Sequence, residues 1–256
     1  MFRLLGCALA TALTLTTAMS EENKPDRVQQ VHSFSKRVAR TVNLDYLLFL
    51  PKDYDAQPRK QWPVILFLHG AGERGSDVWA VAQHGPPKLV REKPGFPFIV
   101  ISPQCPERQT WQNDALLALL TDVLKQYRGD PTRVYLTGLS MGGFGSWSLG
   151  LENPDRFAAI APICGGGDPL KTLLVDPKKA DALKTLGVWA FHGGKDPVVK
   201  LAESERMVAA VRQTGNADVQ FTVYPEAGHD SWTEAYNNPK LYEWFLAHQR
   251  PGLQKK

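Results

Sequence analysis

Six short runs of apolar, mostly β-branched or aromatic residues, spaced by helical patterns and glycine-rich loops, leave this chain few choices of fold. They are Val64 to Leu68, Phe98 to Ser102, Arg133 to Thr137, Phe157 to Pro162, Val188 to Phe191 and Val219 to Val223. Runs this short with so little polar alternation are what strands buried on both faces look like. Two more runs, Val28 to Lys36 and Asn43 to Leu50, read as strands joined by a short turn and are expected to be antiparallel. Asp114 to Tyr127 carries leucines at 116, 117, 120 and 124, which form a helical stripe. Met141 to Leu151 comes directly after a Gly-Leu-Ser turn, Ala202 to Thr214 stops at Gly215, and Trp232 to His248 reads as one closing helix. Alternating strands and helices build right-handed crossovers, so the pattern predicts an α/β fold with a mostly parallel sheet of about eight strands and helices on both faces. Two connections are long. Gly70 to Pro97 holds one short helix near Pro87 to Glu92, and Cys164 to Gly187 has about two dozen residues, too few for a large cap.

The first twenty residues differ in kind from the rest. Met1, Phe2 and Arg3 lead into the uncharged stretch Leu4 to Ala18, and Ala18-Met19-Ser20 precedes an abruptly polar Glu21-Glu22-Asn23-Lys24. A positive start, a short apolar core and a small-x-small exit predict an export signal over residues 1–20, removed to leave 21–256 as one domain in a secreted or periplasmic location. Cys7 would leave with that signal, and Cys105 and Cys164 then stand either as a disulfide or as two buried thiols. The 30 basic and 26 acidic residues are scattered, with no run of five like charges and no aromatic interleaving, which argues against a nucleic-acid partner. No metal-ligand spacing, phosphate-cradling loop or dinucleotide fingerprint is present, so neither cofactor nor metal is expected. Gly165-Gly166-Gly167 lacks the Lys-Ser/Thr of a phosphate loop and reads as a strand exit. The oligomeric state is open.

The chemistry gathers around Gly138-Leu139-Ser140-Met141-Gly142-Gly143, where a buried strand runs through Gly-x-Ser-x-Gly directly into a helix. Chance alone supplies such a pentad in about one chain in ten of this length, so the placement between strand and helix carries the argument. A sharp turn there lifts the hydroxyl above the sheet and crowds the positions two residues either side, which is why small residues stand at both. A serine nucleophile needs a base, and the base needs an acid to fix its tautomer. In strand order the acid comes second and the histidine last. Asp196 lies just past the strand ending Phe191-His192, and His229 sits in a glycine-containing loop after the last strand. Asp168, after the run that ends at Pro162, is the rival acid. His69 and His192 read as loop-bracing residues, and His32, His84 and His248 lack a matching acid, although His84 is placed to line the pocket mouth. The oxyanion donors are expected to be the backbone N–H of Met141 and that of Ala71, with Gly72 as alternate. Glu73 and Arg74 read equally as a loop-holding ion pair or as solvated charges. Trp79, Trp111 and Trp232 are candidates for aromatic substrate walls, against a packing role under long loops.

With these motifs laid out, the chain resembles the α/β-hydrolase superfamily, and in particular the small esterases of the dienelactone-hydrolase and prolyl-oligopeptidase branch, with feruloyl esterases and polyester depolymerases among its relatives. The matching pieces are Leu68-His69-Gly70-Ala71-Gly72-Glu73-Arg74-Gly75, Ser102-Pro103-Gln104-Cys105-Pro106, the serine pentad, His192-Gly193-Gly194-Lys195-Asp196 and Ala227-Gly228-His229-Asp230. The resemblance implies triad roles for Ser140, Asp196 and His229 in a serine carboxylesterase acting through an acyl-serine. Candidate substrates are small esters and carbohydrate-linked or phenolic esters on a bulky carrier. True dienelactone hydrolases use a cysteine nucleophile where Ser140 stands, so that activity is not carried over. A serine peptidase with the same triad and a catalytically silent binding domain are the alternatives.

Overall fold

The computed structural model describes residues 32–250. The predicted export signal lies outside the described residues. Residues 32–40 belong to a separate unit, exposed and without regular structure, and the sheet belongs to the unit that begins at Thr41.

Seven strands form this sheet: β1 (Tyr46–Phe49), β2 (Trp62–Leu68), β3 (Ile99–Pro103), β4 (Gly129–Leu139), β5 (Ala159–Ile163), β6 (Gly187–Gly193) and β7 (Val219–Tyr224). Their spatial order is β1-β3-β2-β4-β5-β6-β7, with β1 antiparallel to β3 and every other pairing parallel. Every residue of β2, β3 and β5 is buried, as expected of central strands covered on both faces. The sheet thus has seven strands among the described residues rather than about eight. The run expected to be the first strand falls partly outside them, and its part from His32 to Lys36 is not a strand. Val28, Val31 and Phe34 recur every third residue, a period that cannot put one apolar face on a pleated strand.

Among the described residues, eight α-helices connect and cover the sheet: α1 (Gly85–Glu92), α2 (Asn113–Gln126), α3 (Met141–Glu152), α4 (Leu170–Leu173), α5 (Ala180–Thr185), α6 (Leu201–Gln213), α7 (Trp232–Asn237) and α8 (Pro239–Ala247). A 3-10 helix over Val78–Gln83 precedes α1. The leucine stripe of α2 faces inward through Leu116 and Leu120, which join Leu66, Ile101 and Leu136 in one core layer. On the other face Phe67, Phe98, Tyr135, Phe191 and Phe245 make the second layer. The closing segment is two helices, not one. Pro239 cannot supply an interior helical N–H, so the chain restarts there, with the Asn238 side chain accepting from the Lys240 N–H. Between β5 and β6 stand only α4, one 3-10 turn and α5, so among the described residues no large cap covers the sheet edge. Among the described residues no helix is long and apolar enough to cross a membrane.

Strand order reverses at β2. The chain leaves β2 for β3 on one side, while β4 on the other side leads away to β5. The carboxyl ends of β2 and β4 therefore open a crevice between diverging connections, the position where open α/β sheets bind ligands.

Candidate active site

Ser140 stands between β4 and α3 with φ 52° and ψ −117°, a backbone conformation costly for a residue with a Cβ. The strain is held by hydrogen bonds on both sides. Ser140 N–H donates to the Ile163 carbonyl at 3.0 Å, and the Ser140 carbonyl accepts from Phe144 N–H at 3.0 Å. The glycines of the pentad are required by close approach. A Cβ on Gly142 would collide with the Leu68 carbonyl at the end of β2, and one on Gly138 would stand 2.6 Å from that same oxygen. The turn therefore presses against the neighbouring strand, and the serine side chain is lifted out of the sheet in return.

The two partner loops come from β6 and β7. They are tied to each other by Gly194 N–H to the Tyr224 carbonyl at 2.8 Å and Lys195 N–H to the Ala227 carbonyl at 3.0 Å. His229 Nε2 lies 2.9 Å from Ser140 Oγ, and His229 Nδ1 lies 2.8 Å from Asp196 Oδ2. Asp196 Oδ1 accepts the N–H groups of Val198 and Val199 at 2.8 and 2.9 Å. Burial works to raise the Asp196 carboxyl, but the hydrogen bonds from His229, Val199 and Val198 outweigh it and hold the group below the ordinary carboxylate range. An ionised Asp196 needs the proton on Nδ1 of His229, which leaves Nε2 free to accept from the serine hydroxyl.

His192 is fully buried beside the acid. Its Nδ1 is 2.7 Å from Ser204 Oγ, its Nε2 is 2.9 Å from the Val199 carbonyl, and that Nε2 is also 3.3 Å from Asp196 Oδ2. The rival acid Asp168 accepts from Leu170 N–H at the start of α4, with no part in the relay to Ser140. His248 is taken by the Trp244 carbonyl and Asp218, and His32 lies in the exposed segment before Thr41.

The loop after β2 is built around His69, which is 1% exposed. Its Nδ1 donates to the Gly70 carbonyl at 2.6 Å and its Nε2 accepts Cys105 N–H at 3.0 Å, so the ring is neutral. Burial pushes its pKa down, against smaller opposing effects from the Gly70 carbonyl and Glu73. Trp111 Nε1 donates to the His69 carbonyl at 3.2 Å, and Gln104 Nε2 donates to the carbonyls of Glu73 and Asp77, both at 2.8 Å. Neither an Arg74–Glu73 ion pair nor simply solvated charges describes the arrangement found. Arg74 donates to the Ala71 and Gln109 carbonyls at 3.0 and 3.2 Å, while the Glu73 carboxylate faces His84. The place of a Cβ on Gly70 would be 3.6 Å from Ser140 Cβ, so this loop borders the nucleophile. Met141 is the first residue of α3, where a backbone N–H has no intrahelical acceptor. Among the described residues the N–H groups of Ala71 and Gly72 donate to no backbone carbonyl.

The three tryptophans part company. Trp232 stands edge-on to the His229 ring, with centroids 5.3 Å apart. Trp111 packs its ring against His69 at 4.8 Å and helps prop that loop. Trp79 is 70% exposed and lines a cavity of about 170 Å³ with Leu47, Phe49, Pro87 and Val90, a space that includes none of Ser140, Asp196 or His229. It sits on the 3-10 helix, whose turn the sequence does not announce.

Cys105 and Cys164 are both free and buried. Cys164 comes after β5 with φ 39°, and its sulfur, the Asp196 carboxylate and a His229 ring nitrogen lie within 4.8 Å of one another, the one group of metal-capable side chains that converges among the described residues. Burial pushes the Cys164 thiol up to about 12, so at neutral pH it is a protonated thiol and a poor metal ligand, and the other two groups are engaged with each other. Spacing in sequence gives no sign of Cys164, Gln104 or Ser204 at the site, because each comes from a different part of the chain.

A mostly parallel seven-stranded sheet with a strained serine between strand and helix, at the crevice beside β2, is the architecture of the α/β-hydrolase fold. The chain belongs to the dienelactone hydrolase family, whose model matches residues 104–241. It is similar to a solved thermostable esterase, 33% identical, with a TM-score of 0.65 over 81% of this chain and 60% of that one. A Yersinia pestis protein described as "Putative carboxymethylenebutenolidase" is 34% identical over 48% of this chain and 50% of its own length. Acyl-protein thioesterase 1 of Mycosarcoma maydis is 32% identical over 40% of this chain and 43% of its own. The chain thus spans about half the length of the curated relatives it matches.

Proposed function

We propose that the chain hydrolyses carboxylic esters through an acyl-Ser140 intermediate. One observation carries the reading: the unbroken hydrogen-bonded line from Ser140 Oγ through His229 to Asp196, at 2.9 and 2.8 Å. His229 Nε2 takes the serine proton as Oγ bonds to the ester carbonyl carbon, and the carbonyl oxygen becomes an oxyanion. Met141 N–H and Ala71 N–H, with Gly72 as alternate for the second, receive that charge at the positive end of α3. Collapse breaks the bond to the alcohol oxygen, which leaves with the proton held by His229. A water then gives its proton to His229 and attacks the acyl carbon, and the second collapse frees the acid and restores the serine.

Support for ester over peptide bonds comes from the family match and from the esterase and thioesterase names of the similar proteins. With only α4 and α5 between β5 and β6, the site is open, which suits an ester on a bulky or polysaccharide carrier or a phenolic acyl group. The reading includes export to a secreted or periplasmic location, on the pattern of residues 1–20.

A fluorophosphonate probe is expected to label the wild type and to leave Ser140→Ala unmodified. Acetyl, butyryl and feruloyl esters measured beside peptide anilides at matched concentration should show ester turnover ahead. Faster anilide cleavage would overturn the ester assignment, and an unlabelled wild type would overturn catalysis altogether.

A further inference from the structure

Glu73, His84 and Trp232 form a row of neighbouring side chains that ends beside the His229 ring. The Glu73 side chain is only 10% exposed, and its Oε1 lies 3.6 Å from His84 Nε2. Its Oε2 is buried and has no hydrogen-bond partner among the described residues. His69 Nδ1 lies 3.8 Å away, but that N–H is already directed at the Gly70 carbonyl at 2.6 Å. Arg74, next in sequence, is committed to two carbonyls. A buried carboxylate oxygen without a donor is costly to keep, so the group invites a donor from a bound molecule.

Its position says which part of a substrate would reach it. Glu73 Oε2 is 3.1 Å, and Ser140 Cβ 3.6 Å, from the place a Cβ on Gly70 would occupy, with Leu139 Cδ1 closer still at 2.8 Å, so the carboxylate and the nucleophile residue both pack against Gly70. From Glu73 the row runs on to His84, whose ring lies 5.5 Å from that of Trp232, and Trp232 in turn stands edge-on to His229. The row therefore ends at the imidazole that protonates the departing alcohol, which sets it on the leaving-group side.

We propose that Glu73 is the acceptor of an alcohol-side subsite, taking a hydrogen bond from a hydroxyl borne next to the ester oxygen on the leaving alcohol. The substrate class is an ester of a polyol, of the glycerol or sugar type. The Trp232 ring flanks the carbon skeleton and His84 closes the outer end. A glutamine at 73 would keep an acceptor oxygen but lose the charge, and an alanine would lose both. This inference rests on ester hydrolysis at Ser140.

The test compares kcat/KM for 2,3-dihydroxypropyl butyrate and propyl butyrate, which share an acyl group, in the wild type, E73A and E73Q. A hydrogen bond to a charged acceptor predicts that the wild type prefers the dihydroxypropyl ester by about tenfold or more. E73A should bring the ratio close to one, with E73Q between the two. A wild-type ratio near one, or a ratio that survives E73A, overturns the subsite while leaving ester hydrolysis intact. No turnover of either ester by the wild type overturns the reading at Ser140 and the subsite with it. A third substrate, 2-aminoethyl butyrate, sets the cation alternative against the polyol, and its turnover ahead of the dihydroxypropyl ester would overturn the polyol class. Fluorophosphonate labelling of Ser140 checks that the E73A site is assembled, and if that variant does not label, the E73Q ratio decides on the same terms.

Discussion

The two sides of the site are built on opposite plans. On the side of β6 and β7, the atoms of the relay have partners within the protein: Asp196 has three donors, His229 has one partner on each nitrogen, and the loops are laced to one another by backbone bonds. On the side of the loop after β2, side chains hold the backbone in place, yet Glu73 Oε2 and Gln104 Oε1 are buried with no hydrogen-bond partner among the described residues. A saturated network fixes geometry, which is what proton transfer requires. The unpaired Glu73 Oε2, close to Gly70 beside Ser140, is instead the atom that the proposed subsite would engage. On the proposed reading, one side performs the chemistry and the other selects what undergoes it.

The severest way to break the saturated side is Asp196→Asn. The amide oxygen can still accept from Val198 and Val199, so the loop should keep its shape, but His229 loses the partner that holds its proton on Nδ1. Ester turnover is expected to fall by about 10⁴-fold, with only the mild loss of thermal midpoint that removing a stabilising charge entails. A steep fall in midpoint accompanying the fall in rate would mean that Asp196 serves the fold rather than the relay.

His69→Ala is the corresponding break on the other side. It removes the donor to the Gly70 carbonyl and the acceptor for Cys105 N–H, so the backbone carrying Ala71 loses two of its pins. Misplacing one oxyanion donor costs on the order of 100-fold in kcat. The ratio of dihydroxypropyl to propyl ester turnover should also shift, because Glu73 rides on the same loop. Steady-state kinetics on the two esters separates these effects, and an unchanged kcat would show that the loop holds itself.

Gly142→Ala tests the joint between the sides, since its Cβ would strike the Leu68 carbonyl where the nucleophile turn abuts β2. Overpacking of this kind costs about 1–3 kcal/mol. In a chain of this size that lowers the melting midpoint by several degrees. A midpoint equal to wild type would mean that β2 and the turn separate more easily than their contact suggests.

The sequence discloses the saturated side far better than the selecting one, for a physical reason. The relay residues come after three strands in a fixed order, and the strands show as apolar runs, so Ser140, Asp196 and His229 can be placed from the sequence alone. The props of the other loop come from afar. Gln104 reaches Glu73 and Asp77 across 31 and 27 residues, and Trp111 reaches His69 across 42, through a β2–β3–α2 packing that no local pattern encodes. Strand existence is legible from burial on both faces, whereas the break at Asn238–Pro239 is masked by apolar residues that continue on either side of it. Trp79 lies away from the relay, and a tryptophan in a long loop carries no signal for which way that loop turns.

The smallest expected effect, on stability against pH, resolves the two sides in a single titration. His69 is buried neutral with its pKa pushed below 6.5, so the unfolded chain binds the proton more readily than the folded one. Stability should therefore decline as pH falls below about 6.5 and stop declining once the folded ring also protonates. The Asp196 carboxyl is held below 3.8, so its ionised form stabilises the fold at neutral pH, and that contribution is lost only as pH falls past 3.8 toward the lower folded value. Melting midpoints taken from pH 8 down to pH 3 should show a mild loss starting near neutrality and a second at stronger acid. In His69→Gln the first loss should flatten while the second persists, and in Asp196→Asn the first should persist while the second shrinks, its remainder coming from Asp130 and Glu152, whose carboxyls are also held below their ordinary values. If either variant removed both losses, the two sides would be one coupled unit, and the division between chemistry and selection would have no basis in how the site is held together.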